Sequence, residues 1–205
     1  MEAGENRFNL ESVAAIQRAL DEVEQSTEPA VLVTVGQGKF YSNGLDLQWL
    51  NGAGRGHSAE CVAAVNQLLG RLLTFPMITV AALNGHAFAA GAMFALAHDF
   101  RVMRSDRGYF CLPEVDLNMT FPAPMAALVQ ARLSHATAHE AMVTGRRYNA
   151  PDALGAGIVD QVAPDQQVLA SALSLAMGHA GKPRQPLAAI KQGLYAPVLA
   201  AIRAR

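Results

Sequence analysis

Apolar residues recur at three- and four-residue steps through Val13, Ile16, Leu20 and Val23, behind a capping residue at Asn9. The spacing predicts an amphipathic helix that ends before Pro29. A β-branched run, AVLVTV (30–35), reads as a strand, closed by the turn GQG, and KFYS (39–42) as another extended piece. Residues 45–50 have the character of a helix start, and the Gly-rich NGAGRGHS (51–58) reads as a mobile flap. Cys61, Val65, Leu68, Leu69 and Leu72 share one stripe of a second amphipathic helix, followed by Pro76 and a buried-type strand, MITVAAL (77–83).

Beyond the turn NG and the small-residue corner AAG, AMFALAH (92–98) predicts a helix of small packing residues. DFRVM (99–103) and GYFCL (108–112) predict two short strands around the turn SDRG. From Pro122 the pattern is mainly helical, over 123–133, 135–144, 150–155, 165–180 and 187–203, with one strand, GIVDQV (157–162), between. Strands alternating with helices predict an α/β fold, and the closing helices an appended packing or assembly element.

Length and charge narrow the function. The 205 residues suffice for one main domain. Lys and Arg number 16 against 17 Asp and Glu, so the chain lacks the basic field that nucleic acid or an anionic membrane requires. Mean hydropathy is +0.16, yet Asn84-Gly85-His86 interrupts the longest apolar stretch and no run approaches the ~18 residues of a spanning helix. The start MEAGENRFNL has no signal pattern and the end AIRAR no prenylation or peroxisomal motif, so a cytoplasmic location is expected. Cys61 and Cys111 have neither metal nor redox spacing and read as reduced core residues. Cys111 as a nucleophile lacks a histidine close in sequence.

Several familiar signatures are missing. The chain has no G-x-S-x-G elbow and no phosphate-binding G-x-x-x-x-G-K-[ST] loop. GQGKFY lies between two extended pieces and lacks the third glycine of a dinucleotide fingerprint. His135 and His139 stand four apart on a predicted helix, but HATAHE lacks the glutamate of H-E-x-x-H, so surface histidines are the reading and no metal is expected.

Two segments share a different design: FYSNGLDL (40–47) and NGHAFAAGAMFALAHD (84–99) each run from an extended piece through a Gly-containing corner into a helix. Such corners leave the first N–H groups of the helix unpaired, and two side by side form a donor pair for a developing oxyanion. Taken singly, Gly44 and Gly91 do no more than permit tight turns, and Asp46 balances a helix N-terminus.

With the acid of YFCLPEVDL they resemble the enoyl-CoA hydratase/isomerase family, or crotonase superfamily. The order ENRFNLESVAAIQRALDE, KFYSNGLDL, NGHAFAAGAMFALAHDFRVM, YFCLPEVDL, ALGAGIVDQV carries the likeness from about Asn6 to the end. The resemblance implies a β-β-α spiral over 1–145 and a helical assembly region over 146–205 that builds a homotrimer or a dimer of trimers. It implies an acyl-CoA substrate and no cofactor, coenzyme A being part of the substrate. The family's two leading strands find almost no room before ENRFN, so an incomplete first turn of the spiral is expected.

Carried over by position, the resemblance assigns the oxyanion N–H groups to Leu45 and Ala90 and the catalytic carboxylate to Glu114. It places Ser42, Gly44, Asp46, Leu47, Phe88, Gly91, Met93 and Leu112 around the substrate. Hydratases of the family carry a second glutamate where this chain has Met93, and a thioether cannot deprotonate water. A double-bond shift needs one base: it takes a proton from C2 of a 3-enoyl-CoA and returns it at C4 while the two amides hold the dienolate. LPEVDLNMTFP looks most like the single-glutamate isomerases of the family. The neighbours Leu112, Val115, Met119 and Phe121 are expected to desolvate Glu114 and favour its neutral form. Asp116 is a second acid or a structural one. Trp49, Leu50 and the glycines of 52–56 are candidate acyl-pocket residues, Trp49 equally a core anchor; Lys39, Arg55 and Lys191 are candidate phosphate partners. Hydration, thioester hydrolysis and non-catalytic CoA binding remain the alternatives.

Overall fold

The structure is a computed structural model and describes residues 4–204. It opens on helix α1 (Leu10–Glu24), where Asn9 and Ser12 cap each other: the Asn9 side chain accepts from the Ser12 N–H and the Ser12 hydroxyl from the Asn9 N–H, both at 2.9 Å. Thereafter strands alternate between two sheets. β1 (Leu32–Val35), β3 (Thr79–Leu83), β5 (Phe100–Arg104) and β7 (Gln161–Ala163) pair in parallel in that order. β2 (Phe40–Ser42), β4 (His86–Phe88) and β6 (Phe110–Cys111) form a second parallel sheet, also in that order. Helices α2 (Leu47–Asn51) and α3 (Ser58–Leu73) follow β2, and α4 (Ala90–Leu96) follows β4. Each turn of the chain thus adds one strand to each sheet before a helix leads to the next turn, which is the α/β spiral that the resemblance implies.

The core explains why the apolar runs have the lengths they do. All five residues of β3 are buried. Ala81 and Leu83 join the main core with Val65, Leu68 and Leu72 of α3, whereas Val80 and Ala82 join a second cluster with Ala172 and Ala176 of α8 (Val168–Met177). A strand covered on both faces reads as a continuous apolar run instead of an alternating one. Each fully buried leucine contributes roughly 1.5–3 kcal/mol.

Two arginines close the end of α4, and a buried lysine holds the turn ahead of β3. Arg132 donates to the carbonyls of Leu96 (2.8 Å), His98 (2.7 Å) and Asp99 (2.8 Å) and also to the Tyr195 hydroxyl. Arg101 donates to the carbonyls of Ile158 and His98. Lys191, 4% exposed, donates to the Phe75 (3.0 Å) and Met77 (2.8 Å) carbonyls and to the Asp99 carboxylate at 2.6 Å. The Arg132 bond to Leu96 satisfies a carbonyl that the helix end leaves orphaned, and the Lys191 and Arg132 bonds tie the C-terminal segment to the core.

The remaining helices are α5 (Ala123–Arg132), α6 (His135–Thr144), α7 (Ala150–Gly155), α9 (Arg184–Leu194) and α10 (Ala196–Arg203), with a 3₁₀ turn, Asp165–Gln167, before α8. Several boundaries differ from expectation. His86–Phe88 is a strand, too short to show alternation and defined by its pairing to both neighbours. The single helix expected over 187–203 is broken at Tyr195, because Pro197 lacks an N–H and its ring would collide with the carbonyl of Gly193 in a continuous helix. The strand expected over 157–162 begins only at Gln161, since Gly157 turns left-handed (φ +69°) after α7. β7 pairs with β5, so the segment from 146 onward completes the larger sheet as well as supplying helices. In residues 52–57 the backbone closes successive turns, and a β-carbon on Gly54 would stand 2.3 Å from the Trp49 ring, so the Gly-rich loop folds over that indole.

Candidate active site

The parallel order β2–β4–β6 puts three chain corners side by side at the carboxyl ends of adjacent strands, where open parallel sheets present ligand sites. After β2 comes Asn43-Gly44-Leu45, after β4 Ala89-Ala90, and after β6 Leu112-Pro113-Glu114.

The first corner is buttressed by the residues ahead of α1. Asn43 N–H donates to Glu5 O (2.9 Å), Phe8 N–H to Gly44 O (2.8 Å) and Asp46 N–H to Phe8 O (2.8 Å). The Ser42 hydroxyl donates to Asn6 O at 2.7 Å and accepts from Gly44 N–H at 3.3 Å. Gly44 needs its freedom, with φ +78° and a hypothetical β-carbon 3.0 Å from the Phe88 carbonyl oxygen and 3.2 Å from Ala90 N. The second corner turns on Ala89, a non-glycine residue at φ +49°, whose N–H donates to Cys111 O at 3.0 Å. Such a conformation costs on the order of 1–3 kcal/mol and is held by its surroundings.

Among the described residues, no acceptor takes the N–H of Leu45 or of Ala90. Both residues line one cavity of about 420 Å³, and Glu114 lines it too. Glu114 is 6% exposed and its Oε2 has no hydrogen-bond partner. Burial pushes its pKa up to about 7, with a bond to its own backbone pulling the other way. The arrangement therefore joins two free backbone donors with a carboxyl group poised between its charged and neutral forms near neutral pH.

Of the other residues placed around the substrate by sequence, Leu47 and Phe88 line this cavity. Ser42, Gly44, Gly91, Met93 and Leu112 sit behind its wall: Ser42 and Gly44 shape the first corner, Gly91 packs against Ser42, and Met93 (1% exposed) and Leu112 (0%) belong to the core. Asp46 caps α2, accepting from Trp49 N–H at 3.0 Å. Of the expected desolvating neighbours, Met119 is on the wall, while Val115 is 47% exposed and Phe121 packs against the core.

The expectation for Lys191 fails, since its ammonium is consumed inside the protein and cannot meet a phosphate. Lys39 and Arg55 are exposed and outside the cavity, as are Trp49 and Leu50 outside its wall. Cys111 lines it, but its thiol donates to Gly145 O at 3.2 Å and burial pushes its pKa up to about 11, which removes it as a nucleophile. His135 and His139 are exposed, and no cluster of metal-ligating residues occurs among the described residues.

Sequence reasoning missed Arg7, Asn43, Val62, Met125 and Arg147, all on the cavity wall. They come from separate segments and share no local pattern; the docking of residues 5–8 on the first corner and the bridge of Tyr148 to Phe110 bring the two arginines to the cavity.

A family model described as enoyl-CoA hydratase/isomerase matches residues 3–203. Enoyl-CoA delta isomerase 3 of Arabidopsis thaliana is 39% identical over 200 residues, covering 93% of this chain and 84% of that protein. The apo structure of a Mycobacterium tuberculosis enoyl-CoA isomerase superposes with a TM-score of 0.91 at 28% identity, over 99% of this chain and 88% of that one. An enoyl-CoA hydratase of Mycobacterium ulcerans superposes with the same TM-score, identity and coverage.

Proposed function

The chain belongs to the enoyl-CoA hydratase/isomerase family, and from that premise we propose that it isomerises 3-enoyl-CoA to 2-enoyl-CoA. The observation that carries this reading is a single buried carboxyl, Glu114, on the same cavity as two unpaired backbone N–H groups, with Met93 where a second glutamate would serve hydration. The thioester oxygen accepts from Leu45 and Ala90. Glu114 in its charged form takes a proton from C2; the C2–H electron pair moves into the C1–C2 bond and the thioester oxygen becomes the dienolate oxyanion. The neutral Glu114 then returns the proton to C4, where the C3–C4 π pair takes it; the C1–C2 π pair moves to C2–C3, the oxyanion re-forms the thioester carbonyl, and the carboxylate is restored. Each backbone donor contributes on the order of 3 kcal/mol to lowering the barrier. Desolvation suits Glu114 to both halves of the exchange, because a pKa near that of the medium balances taking a proton against giving it back.

Glu114→Gln tests this: conversion of 3-hexenoyl-CoA is abolished while hexanoyl-CoA still binds, and retained conversion refutes the assignment. One observation favours a second reading, hydration of a 2-enoyl-CoA: Asp116 also lines the cavity, two residues from Glu114. Formation of 3-hydroxyacyl-CoA that disappears on Asp116→Asn would identify it. Release of free coenzyme A thiol would identify a thioesterase, and binding without turnover a non-catalytic subunit. We further propose a homotrimer, on the strength of exposed Leu169, Leu173 and Met177 on α8 and Ile190 and Leu194 on α9, which residues 146–205 place on the outer surface. No helix among the described residues is long and apolar enough to cross a membrane.

A further inference from the structure

We propose that the acyl group this site prefers carries a carboxylate at its far end, received by Arg147. The inference rests on the acyl-CoA reading above and names the substrate class within it.

The cavity wall holds two guanidinium groups, Arg7 and Arg147, in an otherwise mainly apolar lining. They differ in what they already hold. Arg7 is ion-paired to Glu5 and lies 4.0 Å from Asp46. Arg147 has no ion-pair partner among the described residues, although its sequence neighbour Arg146 has two, Glu140 at 3.0 Å and Asp152 at 3.2 Å. The Arg147 guanidinium instead stands 5.9 Å from the centroid of the Phe88 ring, another residue of the cavity wall. Its backbone is fixed there by the next residue: Tyr148 and Phe110 exchange two N–H···O bonds of 2.9 Å, which docks the segment on the outer edge of β6.

The sheet order then sets the direction of the substrate. Asn43, Leu45 and Arg7 lie at the β2 side, Ala90 beside β4, and Glu114 with Cys111 at the β6 side, with the Arg147 backbone beyond them and its guanidinium reaching back toward Phe88. A thioester whose oxygen sits on Leu45 and Ala90, and whose C2 and C4 face Glu114, points its acyl chain toward β6 and its coenzyme A portion toward β2. Arg147 is therefore placed for the acyl end. A guanidinium next to an apolar wall offers a hydrocarbon terminus nothing and offers a carboxylate two parallel N–H···O bonds.

The test is binding of two saturated thioesters that differ only at the far carbon, hexanoyl-CoA and adipoyl-CoA, by titration calorimetry on the intact protein and on Arg147→Gln. The expected result is a preference for adipoyl-CoA of roughly 3- to 10-fold in the native protein, since a partly exposed pair in a cleft is worth little more than that. Arg147→Gln removes the preference and leaves hexanoyl-CoA affinity unchanged, which also shows that the exposed substitution has not disturbed the fold. Equal affinity of the native protein for both thioesters overturns the proposal, as does an equal loss for both in the variant, which would place Arg147 on the shared coenzyme A portion. Binding of neither overturns the acyl-CoA reading itself, and this inference with it.

Discussion

Gly91 presses on Ser42: a β-carbon built on Gly91 would stand 2.3 Å from the Ser42 carbonyl oxygen and 2.7 Å from its β-carbon. The two corners that present the free N–H groups of Leu45 and Ala90 are therefore in direct contact, one from each of two adjacent parallel strands. Their spacing is a property of packing, set by the absence of a side chain at Gly91. Gly91→Ala is expected to force them apart, with a loss of about 1–3 kcal/mol as an overpacked site relaxes and a parallel loss of turnover. Chemical denaturation alongside kinetics checks both.

The Ser42 hydroxyl joins the Asn6 carbonyl to the Gly44 N–H and so fixes the peptide immediately ahead of the one that carries the Leu45 N–H. Ser42→Ala leaves those groups without a partner at a cost of about 1–2 kcal/mol in stability. Because Ser42 is behind the cavity wall, kcat should fall, by about tenfold if one donor is tilted and not lost, while KM stays near the native value. A change confined to KM would mean that Ser42 touches substrate.

Glu114 gives the protein two opposed pH dependences. Its pKa is raised by burial to about 7 from 4.5, so the folded chain holds this proton more tightly than the unfolded chain does. As a base it works only when ionised, and kcat/KM should rise as pH passes through about 7. Stability moves the other way: the contribution is intact below the unfolded value and is lost between 4.5 and about 7, by on the order of 3 kcal/mol. Glu114→Gln should therefore be more stable than the native protein at pH 8 and no more stable at pH 4, as urea titrations at the two values would reveal.

Lys191 is buried against two carbonyls and Asp99, where desolvation pulls its pKa down and the Asp99 carboxylate pushes it up. Lys191→Met abandons Asp99 and both carbonyls in the interior, at a cost of about 3–5 kcal/mol. Coenzyme A affinity in the folded fraction should be unchanged, and a selective loss of that affinity would restore Lys191 to the ligand.

The periodic elements were legible from the chain because their signal is local: α1 declares itself by Asn9 and its apolar stripe, and β3 by seven apolar or β-branched residues in a row. β4 was not, since three residues show no period and His86–Phe88 is a strand only because β2 and β6 flank it. The corners carrying Leu45 and Ala90 were visible as glycine-marked turns, but their contact through Gly91 and Ser42 depends on a pairing made across the sheet. The same holds for Arg7 and Arg147, whose neighbours Phe8 and Tyr148 bond to residues distant in sequence. Lys191 was misread for the converse reason: nothing adjacent to it in sequence marks Phe75, Met77 and Asp99 as its partners.

Isotope transfer directly measures whether one carboxylate carries hydrogen from C2 to C4. Conversion of 3-hexenoyl-CoA bearing deuterium at C2 should yield 2-hexenoyl-CoA with part of that deuterium at C4, because the atom stays on Glu114 between departure and return; Glu114→Gln should give no product. Product formed by the Glu114→Gln protein at the native rate, with deuterium still reaching C4, would contradict the account.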